Sequence, residues 1–132
     1  MNPTKDEIVQ LITILAKYAG LDVQQSLRQC EKESSFDPDA HNPLSGAHGL
    51  FQLLAPTARQ VGVDRMKPTE NVFGGIKYMR YLKDIFGDAA KAYAAYNWGP
   101  GNLHELIEQK GDAWRDNLPA ETKAYLTFIL GD

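Results

Sequence analysis

Polar caps followed by apolar stripes recur along the chain, and each pair marks the start of a helix. Thr4 and Glu7 stand at the spacing of a capping box, and Ile8, Leu11, Ile12, Leu15 and Tyr18 follow at helical intervals. Gly20 supplies the stop. Asp22, with Gln25 three positions on, predicts a second helix to about Glu33. The segment Ser34 to His48 is rich in Ser, Asp, Asn, Pro and Gly and predicts a loop. A short helix is expected from Pro56 to Gly62, and a longer one from Glu70 to Phe86 with Val72, Ile76, Met79, Leu82 and Phe86 on one face. Gly74 and Gly75 weaken that helix, so close packing against a neighbour is the expected reason for them. Asp88 caps an alanine-rich helix, Ala89 to Tyr96. Asn102 and Glu105 predict a further box before a helix that stops at Gly111, and Pro119 opens the last, ending near Leu130. No stretch alternates as a strand would, and neither repeat nor linker is present. The pattern predicts an all-α fold, one compact domain over residues 1–132, with about seven to eight helices.

Composition narrows the function classes. The length of 132 residues suffices for a real core, and 43% hydrophobic with 23% charged residues is the balance of a folded globular protein. The formal net charge is −3, which argues against nucleic acid as the main partner, because phosphate binding needs a concentrated basic surface. A neutral polymer such as a sugar chain suits this surface better. No segment approaches a membrane span, so membrane insertion is not expected. Cys30 is the one cysteine and lies in register with Val23 and Leu27, as a buried structural thiol would. His41, His48 and His104 lack ligand-like spacing, so neither metal nor other cofactor is expected.

Three clusters hold residue types beyond what packing requires. Glu33-Ser34-Ser35-Phe36 places a carboxylate, two small polar residues and an aromatic at a helix end. Ser45 to Leu53 combines glycines, which let backbone approach a ligand closely, with the amide of Gln52, suited to sugar hydroxyls and acetamides. Ala95-Tyr96-Asn97-Trp98-Gly99-Pro100-Gly101 joins an aromatic and an amide to a sharp turn. Taken singly, each is equally compatible with turn chemistry around a core aromatic. Asp37 and Asp39 invite a two-carboxylate glycosidase reading, against which stands the preference of Asp for turns.

Taken together and in order, the clusters say more. Glu-Ser-Ser-Phe, Gly-Leu-Phe-Gln-Leu, Ala-Tyr-Asn-Trp-Gly-Pro-Gly and then Leu118-Pro119-Ala120-Glu121-Thr122 closely resemble the catalytic domain of soluble-type lytic transglycosylases. Pro56-Thr57-Ala58 and Asn71 to Tyr78 also fall where that family has similar residues, so the resemblance runs from about Leu27 to Tyr125. It implies a lysozyme-like helical domain around a substrate cleft, acting on peptidoglycan glycan strands as a monomer. Glu33 matches the family's catalytic glutamate. Gln52 matches its cleft glutamine, and Tyr96 and Asn97 the pair lining the site. Glu121 matches the acidic residue of its last motif, while Ser34 and Ser35 are expected to shape and polarise the surroundings of Glu33. Phe51 stands where methionine is usual, Trp98 where a small residue is common, and Asn42-Pro43 lengthens the loop before Ser45; these departures bear on substrate preference.

The implied reaction cleaves the β-1,4 bond between N-acetylmuramic acid and N-acetylglucosamine without water and leaves 1,6-anhydromuramyl ends. Alternatives are a hydrolytic muramidase and a non-catalytic wall-binding module. Without a recognisable secretion signal at Met1, the expectation is synthesis in the cytoplasm and action on the wall after release, as in a phage lysis enzyme, with a secretion or conjugation system as the other setting.

Overall fold

The computed structural model describes residues Met1–Asp132 and is all-α. Helices α1 (Lys5–Ala19), α2 (Val23–Ser34), α3 (Ala55–Val61), α4 (Pro68–Phe86), α5 (Ala89–Trp98), α6 (Pro100–Lys110) and α7 (Ala120–Leu130) are joined by loops, with two 3₁₀ turns at Gly111–Ala113 and Arg115–Asn117. The only extended pairings are isolated bridges of His48 to His41 and to Leu53. The chain packs as two compact units, Met1–Arg80 and Tyr81–Asp132.

The first unit begins as the caps predict. The Thr4 hydroxyl accepts from the Glu7 N–H at 3.1 Å, and Glu7 Oε1 accepts from the Thr4 N–H at 2.9 Å. That backbone N–H, followed by the Thr4 side chain, holds the Glu7 carboxyl below the usual carboxylate range. Asp22 Oδ1 accepts from the Gln25 N–H at 2.9 Å and starts α2. Along α1 the buried residues are Ile8, Ile12 and Ala16, whereas Tyr18 is 93% exposed. At about 100° per residue, Tyr18 falls roughly 120° from the centre of that buried face, which corrects its place in the stripe.

Helix α4 buries Val72, Ile76 and Met79 in this unit. Its glycine pair is a packing device, as expected. A methyl on Gly75 would run into the Cβ and ring of Phe51, and one on Gly74 would lie 2.6 Å from Val63 Cγ2 and 3.0 Å from Leu53 Cδ1. The backbone of α4 thereby approaches the segment 51–53 more closely than any side chain would allow.

In the second unit, Asp88 caps α5 through Oδ1, which accepts from the Lys91 N–H at 2.8 Å. Ala92, Tyr93, Ala94 and Ala95 of α5 are buried, as are Leu103 of α6 and Tyr125, Leu126 and Ile129 of α7. The box expected at Asn102 and Glu105 does not form. Helix α6 starts earlier, at Gly99-Pro100, with no side-chain cap, and Asn102 Nδ2 donates back to the Trp98 carbonyl at 2.8 Å. Proline fixes φ near the helical value and needs no N–H partner in the first turn, so it sets the start ahead of a more distant cap.

Gly75→Ala tests the glycine packing. Helix propensity alone would stabilise by about 1 kcal/mol, but overpacking against Phe51 costs about 1–3 kcal/mol. The urea midpoint of Gly75→Ala should therefore fall below that of the parent. A midpoint that rises would show that the contact is loose.

Candidate active site

Backbone strain marks the first two clusters. The chain has three non-glycine residues at positive φ: Ser35 at 53°, Phe36 at 62° and Gln52 at 48°. All three lie in the Glu-Ser-Ser-Phe and Gly-Leu-Phe-Gln-Leu motifs. A left-handed conformation costs an L-residue about 1–2 kcal/mol, and such residues gather where surrounding structure over-determines the chain, often at functional sites.

Glu33 sits in the last turn of α2, half-buried. Helix α2 closes one residue later, where the N–H of left-handed Ser35 donates to the Glu31 carbonyl at 2.8 Å. Ser34 is 9% exposed and returns its hydroxyl to the Cys30 carbonyl at 3.1 Å, so it braces the helix end from inside. Ser35 is exposed, and the half-buried Phe36 ring lies 4.9 Å below the Lys5 ammonium. Cys30, one turn before Ser34, is fully buried and directs its thiol to the Leu50 carbonyl at 3.7 Å. Burial raises this thiol from the usual 9.0 to about 12, against a lesser lowering by the Ser34 hydrogen bond and with the smallest contribution, also raising, from the nearby Glu33 charge. The structural role expected of Cys30 is what the structure shows.

The thiol joins α2 to the turn carrying Gln52. There the N–H and carbonyl of His48 face those of Leu53 at 3.1 and 3.0 Å, and the Gln52 N–H donates to the Gly49 carbonyl at 3.0 Å. Asn71, fully buried on α4, clamps this turn: Oδ1 accepts from the Phe51 N–H at 2.8 Å, and Nδ2 donates to the carbonyls of His48 at 2.8 Å and Arg65 at 2.9 Å. Gly49, at φ 84°, lies against the Asn71 amide where no side chain fits. Arg65 adds donations to the Gly46 and Leu53 carbonyls at 2.6 and 2.9 Å. Gln52 itself is half-buried, and its Nε2 donates to the Ala40 and Gly49 carbonyls at 3.0 and 2.9 Å. Both amide protons are thus engaged, which leaves the Oε1 acceptor as the end a ligand can use.

The two aspartates shape the loop after α2. Asp37 Oδ1 accepts from the Asp39 N–H at 2.9 Å, and Asp39 Oδ2 accepts from Asn2 Nδ2 at 3.0 Å. The His41 and His48 rings lie 5.7 Å apart at a tilt of 51°, and His104 pairs with Glu108 at 3.2 Å. Two pockets of about 330 and 350 Å³ open elsewhere on the first unit, one beside Pro3, Ile14 and Val72 and one beside Tyr18 and Phe73. The first reaches the motifs only through Leu50, and neither is lined by Glu33, Ser34, Ser35 or Gln52.

In the second unit Tyr96 and Asn97 occupy the last turn of α5, both half-buried. Asn97 Oδ1 accepts from the Thr122 hydroxyl of α7 at 2.8 Å. Thr122 is 1% exposed, while its neighbour Glu121 is exposed in the first turn of α7. Sequence reasoning chose Glu121 from this motif and passed over Thr122. The signal available was a threonine in the first turn of a helix otherwise lined by core residues.

Comparison with known proteins settles the family. The family described as the transglycosylase SLT domain matches residues 13–118. The chain belongs to that family. A membrane-bound lytic murein transglycosylase F of Shewanella pealeana is 34% identical over 115 residues, spanning 76% of this chain and 24% of the relative. The protein of the same name from Vibrio cholerae is 35% identical over 114 residues, spanning 73% and 21%. This SLT chain therefore spans about a quarter of the length of these curated relatives. Among solved structures, an inactive mutant of the lytic transglycosylase Slt from Pseudomonas aeruginosa superposes with a TM-score of 0.79 at 27% identity, over 92% of this chain and 22% of its own. The 70-kDa soluble lytic transglycosylase in complex with bulgecin A gives 0.82 at 22% identity, with the same coverage, and shows the shared fold.

The buried thiol supplies a test. Below pH 9 both folded and unfolded states carry neutral Cys30, and its contribution to stability is fully present. As pH rises from 9 toward 12 the unfolded thiol ionises first, and the contribution is lost. At pH 8 a disulfide reagent such as dithionitrobenzoate should label the native protein far more slowly than the protein in urea. Equal rates would show that Cys30 is open to solvent.

Proposed function

We propose that this chain is a peptidoglycan lytic transglycosylase in which Glu33 serves first as general acid and then as general base. The observation that carries the reading is the placement of every left-handed non-glycine residue around Glu33 and Gln52, inside the two motifs that define the resemblance. Two facts about relatives support it. The curated relatives are named murein transglycosylases, and the Pseudomonas structure is of a mutant, called inactive, with one glutamate changed to glutamine.

Glu33 protonates the glycosidic oxygen as the bond from the anomeric carbon of N-acetylmuramic acid to N-acetylglucosamine breaks. The substrate's own acetamide stabilises the positive charge that develops, so a second carboxylate is not required. The Glu33 carboxylate then takes the proton of the 6-hydroxyl of the same sugar, whose oxygen closes on the anomeric carbon. No water enters, and the new end is a 1,6-anhydro sugar. Gln52 offers its Oε1 to a sugar hydroxyl or acetamide N–H, and Tyr96 and Asn97 contact the muramyl sugar. Ser34 and Ser35 act by fixing the helix end and polarising the surroundings of Glu33, and Glu121 binds the glycan from α7.

A hydrolytic muramidase is the second reading. Its two-carboxylate forms need an acid partner to hold water or form a covalent intermediate. The available partners, Asp37 and Asp39, are engaged in loop hydrogen bonds.

Two measurements decide. Glu33→Gln should stay folded and lose at least about 100-fold in turnover, the contribution of a positioned general acid. A folded variant that kept more than about a tenth of parental turnover, well inside that range, would remove Glu33 from the role. Digested sacculi should release muropeptides lighter by one water than muramidase products, with ends that borohydride leaves unchanged. Mainly reducible ends would replace the transglycosylase with a hydrolase.

A further inference from the structure

We infer that Thr122 is a positioning residue, whose buried hydroxyl dictates which end of the Asn97 amide faces the sugar. The inference rests on the reading above that Asn97 contacts substrate. A helical threonine ordinarily returns its hydroxyl to a carbonyl one turn earlier. Thr122 instead donates to the Asn97 side chain, 25 positions away in sequence, at 2.8 Å. With Thr122 only 1% exposed, that proton has no competing solvent acceptor.

The direction of this bond has chemical consequences. An asparagine amide carries an acceptor oxygen and a donor nitrogen on opposite sides of Cγ, and only a hydrogen-bond partner distinguishes them. A threonine that donates selects the oxygen as its partner and turns the two Nδ2 protons away from α7. Asn97 is half-exposed, and Nδ2 donates to no group of the protein. The site therefore offers a fixed hydrogen-bond donor at this point, and the ligand atom that matches it is an acceptor oxygen. On an N-acetylated sugar the strongest neutral acceptor is the acetamide carbonyl.

The test measures kcat, KM and thermal midpoint on solubilised glycan strands for five variants: Thr122→Val, Thr122→Ser, Asn97→Ala, Asn97→Asp, and Thr122→Val combined with Asn97→Ala. Thr122→Val should lower kcat by about 10-fold or more, as expected when a contacting group loses its orientation. Thr122→Ser, which keeps the hydroxyl, should restore activity. In the Asn97→Ala background Thr122→Val should change kcat no further, which a merely structural residue would not show. Asn97→Asp can still accept from Thr122 but has no proton to give, so it should match Asn97→Ala in activity while retaining its fold. This variant decides the donor question even if Thr122→Val fails to fold. Full activity in Asn97→Asp, or an undiminished effect of Thr122→Val in the Asn97→Ala background, overturns the proposal. If Asn97→Ala is itself fully active, the substrate role of Asn97 falls and the proposal with it. If Asn97→Ala is impaired while folded Thr122→Val is not, only the role of Thr122 falls.

Discussion

The turn that carries Gln52 depends on one buried side-chain amide. Asn71 presents an acceptor and two protons to a segment that has no sheet or helix of its own to satisfy it, and all three are used, on Phe51, His48 and Arg65. A buried backbone N–H or carbonyl left without a partner costs about 1–3 kcal/mol. Without Asn71, the turn would either open to water or lose its strained geometry. The glycines follow from the same requirement. Gly49 leaves room for the amide, and Gly75 lets Phe51 settle onto α4 so that its N–H reaches Asn71.

Strain and rigidity are coupled here. Ser35, Phe36 and Gln52 hold left-handed backbone, each at a cost that an isolated loop would relieve by moving. Relief is blocked because the Cys30 thiol and the Ser34 hydroxyl tie the end of α2 to its own last turn and to the Leu50 carbonyl. Asn71 and Arg65 hold the other side. Cys30 is fully buried, so that junction is closed to water. A proton-transferring carboxylate gains from such surroundings, because a group held in place needs no reorganisation as charge develops.

Local signals in the chain were legible where the partners are local. The Thr4–Glu7 box, the caps at Asp22 and Asp88 and the glycine pair of α4 all act within a turn or through a missing side chain, and the helices they predict are present. The failures have equally physical causes. Asn102 and Glu105 have the spacing of a box, but Pro100 had already fixed the start of α6. Tyr18 fits an apolar stripe by type, yet the buried face of α1 is set by Ile8, Ile12 and Ala16. For Ser34 and Gln52 the residue type is legible but the bonding is not: the Ser34 hydroxyl and the Gln52 amide protons go to backbone carbonyls, a detail that no spacing rule encodes.

The residues that sequence reasoning undervalued, Asn71 and Thr122, share one property. Each is polar, fully or almost fully buried, and bonded to a group 20 or more positions away. Most buried polar groups are hydrogen-bonded, and where the partner is distant in sequence their positions are fixed by tertiary geometry rather than by the local chain. A motif reader ranks exposed acids and amides first because those can touch a ligand. The geometry of a site depends as much on hidden partners that leave such an amide one orientation. Asn97 without Thr122 is an amide with two faces, one that gives protons and one that takes them. In the proposed site, Asn97 with Thr122 is a donor, and a donor of fixed direction discriminates between an acetamide carbonyl and an N–H at the same place on a sugar.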